Sequence, residues 1–146
     1  MSGGRARAAL GGAAATIAWA ALEPVDRRVF GYDYSDVALL GKWMTRSRWW
    51  PVAGLALHAA NGAAFGLAFD EVRRRTHAEP RRLAFAMAMA ENFGLYPLAY
   101  FVDTRHPARG GRGVPPLLNA RALAQATVRH ALFGVLLGRL AAGPKS

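Results

Sequence analysis

The 146-residue chain has no cysteine, which excludes a disulfide framework, a cysteine zinc site and an iron–sulfur cluster. Lysine is nearly missing as well, since 17 of the 19 basic residues are arginine. Alanine and glycine together fill 47 positions, a bias that GC-rich bacterial coding produces unaided. The preference for arginine is therefore no sign of phosphate recognition. Acids are scarce, nine against 19 bases, for a net charge of +10. Such an excess suits either nucleic acid or arginines that flank membrane spans. No aromatic interleaving or recognisable binding module accompanies the arginines, so nucleic acid is set aside as a partner. There is also no glycine-rich phosphate loop after a strand, no nucleophile elbow and no His-Glu-x-x-His. A non-enzymatic chain is the expectation. With 53% hydrophobic residues it is too apolar to be disordered, and its length suits one domain, 1–146.

The mean hydropathy of +0.09 is that of a soluble protein, but the average hides segregation. Trp49–Phe69 is a run of 21 residues without a formal charge, about 31 Å as a helix against a bilayer core of about 30 Å. Leu83–Val102 is interrupted only by Glu91, and Ala122–Ala141 only by Arg129, His130 and Arg139. Ala8–Leu22 is shorter and spans if Arg5 and Arg7 snorkel. Its basic start and Ala18-Trp19-Ala20 ending also fit a cleaved signal, but Gly11 and Gly12 break the apolar stretch. A compact Ala-rich soluble bundle is the other alternative, but apolar residues occupy nearly every face of Trp49–Phe69, where a soluble helix keeps a polar stripe. The pattern predicts an all-α transmembrane bundle of four spans, about 8–22, 49–71, 83–102 and 121–141, in a bacterial cytoplasmic membrane.

The segment 23–48 mixes Asp26, Asp33 and Asp36 with five bases and predicts an interfacial amphipathic helix. Ser35 is placed to cap it, with Val37, Leu40 and Met44 on one face and Trp43, Trp49 and Trp50 at headgroup level. With four spans, nine basic residues fall on each side and Arg129 lies between them. The dense Arg73–Arg82 cluster then favours cytoplasmic termini.

His58-Ala-Ala-Asn-Gly62-Ala-Ala-Phe-Gly66 recurs as His130-Ala-Leu-Phe-Gly134-Val-Leu-Leu-Gly138, 72 positions later. Upstream, Gly54 falls over Ala126, so each helix carries a stripe of small residue, His, Gly and Gly on one face. Glycine at this spacing lets another backbone approach closely. A duplicated hairpin, giving a 2+2 bundle, is the sharp reading; chance in an Ala/Gly-rich chain is the other.

His58, Glu91, Arg129 and His130 all fall near the middle of their segments. Charge at such depth is costly, so pairing is expected, most simply Glu91 with Arg129, with Asn61, Asn92 and Gln125 completing the polar cluster. Pro97 cannot donate to Phe93 and predicts a bend near Glu91 and Asn92. A satisfied structural network is one reading of the cluster, in a protein structural or accessory to a membrane partner. A small proton- or solute-conducting unit, acting as a homo-oligomer, is an alternative. No cofactor is expected; a bis-His haem on His58 and His130 is the alternative on that count.

The segments Trp19-Ala-Ala-Leu-Glu-Pro-Val-Asp-Arg-Arg-Val-Phe-Gly-Tyr-Asp-Tyr-Ser-Asp-Val, His-Ala-Ala-Asn-Gly-Ala-Ala-Phe-Gly, Ala-Glu-Asn-Phe-Gly-Leu-Tyr-Pro and Arg-His-Ala-Leu-Phe-Gly succeed one another along the chain. In this the chain resembles a group of small uncharacterised actinobacterial integral membrane proteins. In hydropathy order it is more distantly similar to YagU-like inner-membrane proteins, without their longer insertion between the first two spans. The resemblance implies a multi-pass topology and transfers no activity and no catalytic residue.

Overall fold

A computed structural model describes residues 3–142. The chain is helical: α1 is Gly3–Phe30, α2 Asp36–Met44, α3 Trp50–Thr76, α4 Pro80–Leu95, α5 Ala99–Arg105 and α6 Ala120–Ala142, with a 3-10 turn, Tyr96–Leu98, between α4 and α5. Among the described residues the only β pairing is a pair of isolated bridges, Tyr34 with Gly113 and Gly111 with Val114. Two helices, α1 and α3, are long and apolar enough to cross a membrane, not the four expected. The other two fall short for different reasons. Helix α4 stops after 16 residues, and α6 carries Arg121, Arg129 and Arg139.

Local chemistry sets most element ends. Ser35 caps α2 as expected, its hydroxyl accepting from the Ala38 N–H at 3.0 Å. Pro51 stands in the first turn of α3, and His77, in the left-handed region at φ 54°, ends it. Only residues 77–79 then separate α3 from α4, whose cap is Glu79, accepting from the N–H groups of Arg81 and Arg82. Those two bonds hold the Glu79 carboxyl below the usual range. Pro97 acts at its own position and not at Glu91–Asn92. Helix α4 runs regularly through those residues, and the backbone tightens into the 3-10 turn at Tyr96. The third predicted span, 83–102, is therefore two helices. The first is longer than the expected 8–22, because α1 continues through Pro24 to Phe30.

The helices pack in the order α3, α1, α6, α4. Gly62 lies against Gly12 and Thr16 of α1, and Gly66 against the carbonyl of Ala8. On the other seam, a methyl group on Gly134 would stand 2.8 Å from the Phe85 Cα and 3.1 Å from the Ala88 side chain, and one on Gly138 2.8 Å from the Arg81 Cα. Backbones this close leave no room for a side chain, which is the approach the glycine stripes predict. The partners obey the same displacement as the glycines: Gly12 and Thr16 sit 72 positions before Ala84 and Ala88. The contacts of the α1/α3 and α4/α6 seams thus recur at the same offset, although the motif marked only the α3 and α6 side of each. Helices α1 and α6 close one side of the bundle, whereas α3 and α4 barely touch on the other.

Helix α2 packs against α3 as part of the bundle. The chain reverses at Gly31, φ 58°, and re-enters the bundle, so that α2 starts deep and climbs out antiparallel to α3. Its Val37 carbonyl packs on Gly54, and Gly41 packs between Trp50 and Gly54. Gly54 thus serves α2, and the long loop 106–119 covers α2 from above. Gly113 accepts from the Ser35 N–H at 3.0 Å, and buried His106 reaches the Leu39 carbonyl at 2.9 Å.

Candidate functional site

Two polar assemblies occupy the bundle. The first is built on Arg129, whose side chain is 2% exposed. Its guanidinium takes Asp26 through both Nε and Nη2, donates to Asp36 at 2.7 Å and to the Tyr34 carbonyl at 2.9 Å, and lies 3.8 Å from Glu23. The Tyr34 ring stacks beneath it at 5.0 Å. Asp26 and Glu23 come from α1 and Asp36 from the first turn of α2, so one buried cation fastens three helices. The expected Arg129–Glu91 pair does not form. Re-entry of α2 and the extra turns of α1 bring nearer carboxylates to the guanidinium. Glu23 also accepts from Ser35 at 2.5 Å and from the Asp36 N–H at 2.9 Å.

Burial would raise the Asp36 carboxyl, but the Arg129 charge and a 2.5 Å bond from the Tyr34 hydroxyl outweigh it and hold the group below its usual range. Tyr34 moves the other way. Burial and the neighbouring Asp36 charge push its hydroxyl well up, so it stays a neutral donor.

The second assembly lines a cleft of about 400 Å³ where α3 and α4 part. Trp19 stands on its floor, edge-on to His58 at 5.1 Å between ring centroids and to His130 at 4.8 Å. The His130 Nδ1 donates to the Ala126 carbonyl at 2.8 Å, which leaves Nε2 as the lone-pair nitrogen, 3.8 Å from the Glu91 carboxylate. The repeat shows again here, because Trp19 and Glu91 are 72 positions apart and each stands beside the histidine of its own seam. Two buried nitrogens, Trp19 Nε1 and His58 Nε2, have no hydrogen-bond partner.

The predicted polar residues divide between these assemblies. His58, Asn61, Glu91, Asn92 and His130 line the cleft, with Asn92 also donating to Thr127 at 2.9 Å. Arg129 and Gln125 belong to the other group, Gln125 donating to Asp26 at 2.7 Å. Sequence reasoning missed Trp19, Glu23, Asp26, Asp36 and His106. A signal was present for three of them: Gly12, Thr16, Trp19, Glu23 and Asp26 follow helical three- and four-residue spacing on one face of α1. Ending the first span at Leu22 leaves both acids in the segment 23–48, outside the bundle.

The haem alternative does not fit these residues. The Trp19 indole fills the space between the two imidazoles that would have to face a porphyrin from opposite sides, and His130 turns its free nitrogen toward Glu91. Comparison with known proteins gives no match to any family model, curated protein or solved structure.

Proposed function

We propose that the chain is a four-span membrane protein of the bacterial cytoplasmic membrane, of the kind the resemblance to small actinobacterial integral membrane proteins implies, and that it serves as a non-enzymatic component beside a membrane partner. The observation that carries this reading is a belt of large apolar side chains on the outside of the bundle. Leu10 (70% exposed) and Val29 (75%) of α1, Val52 of α3, Phe93 of α4, Tyr100 of α5 and Leu140 of α6 all face outward. Monomeric soluble proteins rarely expose apolar surface on every side. Helices α4 and α6 share the belt with α1 and α3, their mid-helix Asn92, Gln125 and Arg129 are buried, and the exposed Arg81, Arg82, Arg121 and Arg139 lie toward the helix ends, where headgroups would meet them.

The chemistry of Arg129 supports a structural use of the buried charge, because its donors are committed to Asp26, Asp36 and a carbonyl. A second reading, a small conducting unit, is favoured by one observation: Glu91 and His130 face each other at the open cleft. Loss of proteoliposome pH-dye response in Glu91→Gln would select it.

Because the chain has no cysteine, topology is testable with single substitutions. Ala78→Cys, in the α3–α4 connection, and Ser47→Cys, before α3, should react with an impermeant maleimide from opposite sides, Ser47→Cys from outside the cell. Labelling of both from one side, or extraction of the protein by carbonate, overturns the four-span reading.

A further inference from the structure

The cleft between α3 and α4 lies where the bundle lacks its clamp. At the 72-position offset, Arg129 and Gln125 of α6 correspond to Leu57 and Ala53 of α3, and Glu23 and Asp26 of α1 correspond to Leu98's neighbour Leu95 and to Leu98 itself. Among the described residues no ion pair joins α3 to α4 as Arg129 joins α6 to α1, and the two helices part. The space left is about 400 Å³, within the range of small-molecule pockets, about 300–1,000 Å³. In the four-span arrangement, on which this inference rests, its opening faces lipid.

The charge open to that space is a single carboxylate. Among the described residues no arginine or lysine lines the cleft, and Asp36 is already engaged by Arg129 and the Tyr34 hydroxyl. Glu91 is not so held. Its side chain is 37% exposed, and its one ionic neighbour among the described residues, His130 Nε2, stands 3.8 Å away, beyond hydrogen-bond reach. Because the Ala126 carbonyl only accepts, His130 carries a proton on Nδ1 and, as a neutral ring, a lone pair on Nε2. Two acceptors thus lie 3.8 Å apart, a spacing that one ammonium nitrogen bridges with N–H bonds of about 2.9 Å to each. Asn61, an exposed residue of α3, adds an amide oxygen to the lining.

Other occupants serve these groups less well. A hydrocarbon tail fills the volume but leaves the carboxylate uncompensated in apolar surroundings. An anion meets Glu91 and finds no free cation. A bare metal ion lacks ligands, since no group of three or more His, Asp or Glu side chains suited to one occurs among the described residues.

We propose that the cleft binds a protonated alkyl amine, its ammonium held between Glu91 and His130 and its tail lying along Phe65, Leu95 and Leu98 toward the opening between α3 and α4. The full chain in phosphatidylcholine nanodiscs, titrated calorimetrically with decylamine and corrected for empty nanodiscs, tests this. Binding should saturate and be at least about tenfold tighter than that of decanol, which has the tail without the charge, or of decyltrimethylammonium, which has the charge without an N–H. Glu91→Gln should bring decylamine to the level of decanol with the melting midpoint unchanged, because Glu91 lies outside the Arg129 clamp. Ala126→Leu keeps the carboxylate and narrows the cleft, and should weaken decylamine while the fold, checked by circular dichroism, is retained.

Equal binding of decanol, equal or tighter binding of the quaternary ammonium, or a decylamine affinity unchanged by Glu91→Gln each overturns the proposal. The cysteine labelling is read separately. A chain that inserts as described but shows no saturable decylamine binding refutes the ligand and leaves the membrane reading standing.

Discussion

Replacing Arg129 by alanine removes a cation that is 2% exposed and leaves Asp26 and Asp36, each with 15% side-chain exposure, and Glu23 at 6% without their counter-charge. Breaking a buried pair by deleting one partner costs about 3–5 kcal/mol, mostly from the charge left behind. No discount for solvent screening applies at such burial. The loss is a large share of a typical folding free energy of about 5–15 kcal/mol, so Arg129→Ala should lower the melting midpoint in mild detergent sharply. Because stranded charge dominates the cost, neutralising the partners should restore most of it. Arg129→Ala combined with Asp26→Asn and Asp36→Asn is expected to recover more than half, whereas Arg129→Ala with Glu91→Gln should recover nothing, since Glu91 belongs to the cleft. A loss below about 1 kcal/mol, the level of an exposed pair, would refute the three-helix clamp. Rescue by Glu91→Gln equal to that by the aspartate changes would do so as well.

Gly12→Ala drives a methyl group into the Gly62 carbonyl, a backbone contact that cannot yield, and should cost at least the ~1–3 kcal/mol of an overpacked core. Gly94→Ala, with open space at the same position of its side chain, should stabilise α4 by about 0.5–1 kcal/mol; detergent melting of both variants compares the two. Asp36 has a depressed folded-state pKa, so its stabilising contribution is complete above the ordinary aspartate value of about 3.9 and disappears as pH falls through the lower folded value. Melting midpoints measured from pH 6 down should therefore fall at the acid end, and Asp36→Asn should flatten that part of the curve. His106 accepts from the Ala108 N–H at 3.0 Å while its other nitrogen donates to Leu39. His106→Leu should loosen loop 106–119, and faster trypsin cleavage at Arg109 and Arg112 with α2 still helical is the expected outcome.

Much of the helical layout was legible in the residues. The capping oxygen of Ser35, the glycine stripes and the uncharged run from Trp49 follow from local chemistry and periodicity, and each reappears in the structure. What failed was non-local. Glu23 and Asp26 looked like the start of a wet segment because charge after an apolar stretch ordinarily ends a span, whereas here they continue the buried face of α1. Pro97 was expected to bend a helix one turn earlier, yet the backbone passes it in a short 3-10 turn at its own position. The polar residues were expected to form one cluster because equal distances along separate segments suggested equal depth, a measure that takes no account of α2 folding back along α3 and carrying Asp36 to Arg129.

The absence of cysteine, the scarcity of lysine and acids, and the spacing of His and Gly determined by themselves that this chain is helical, held by close backbone seams and free of thiol chemistry. Those properties depend on residue type and on separations of three or four along one helix. Which carboxylates meet Arg129, and that Trp19 stands between two histidines at an open cleft, was decided only by the tertiary structure. A buried charge takes the partners that packing brings within about 3 Å, and sequence separation carries no information about that distance.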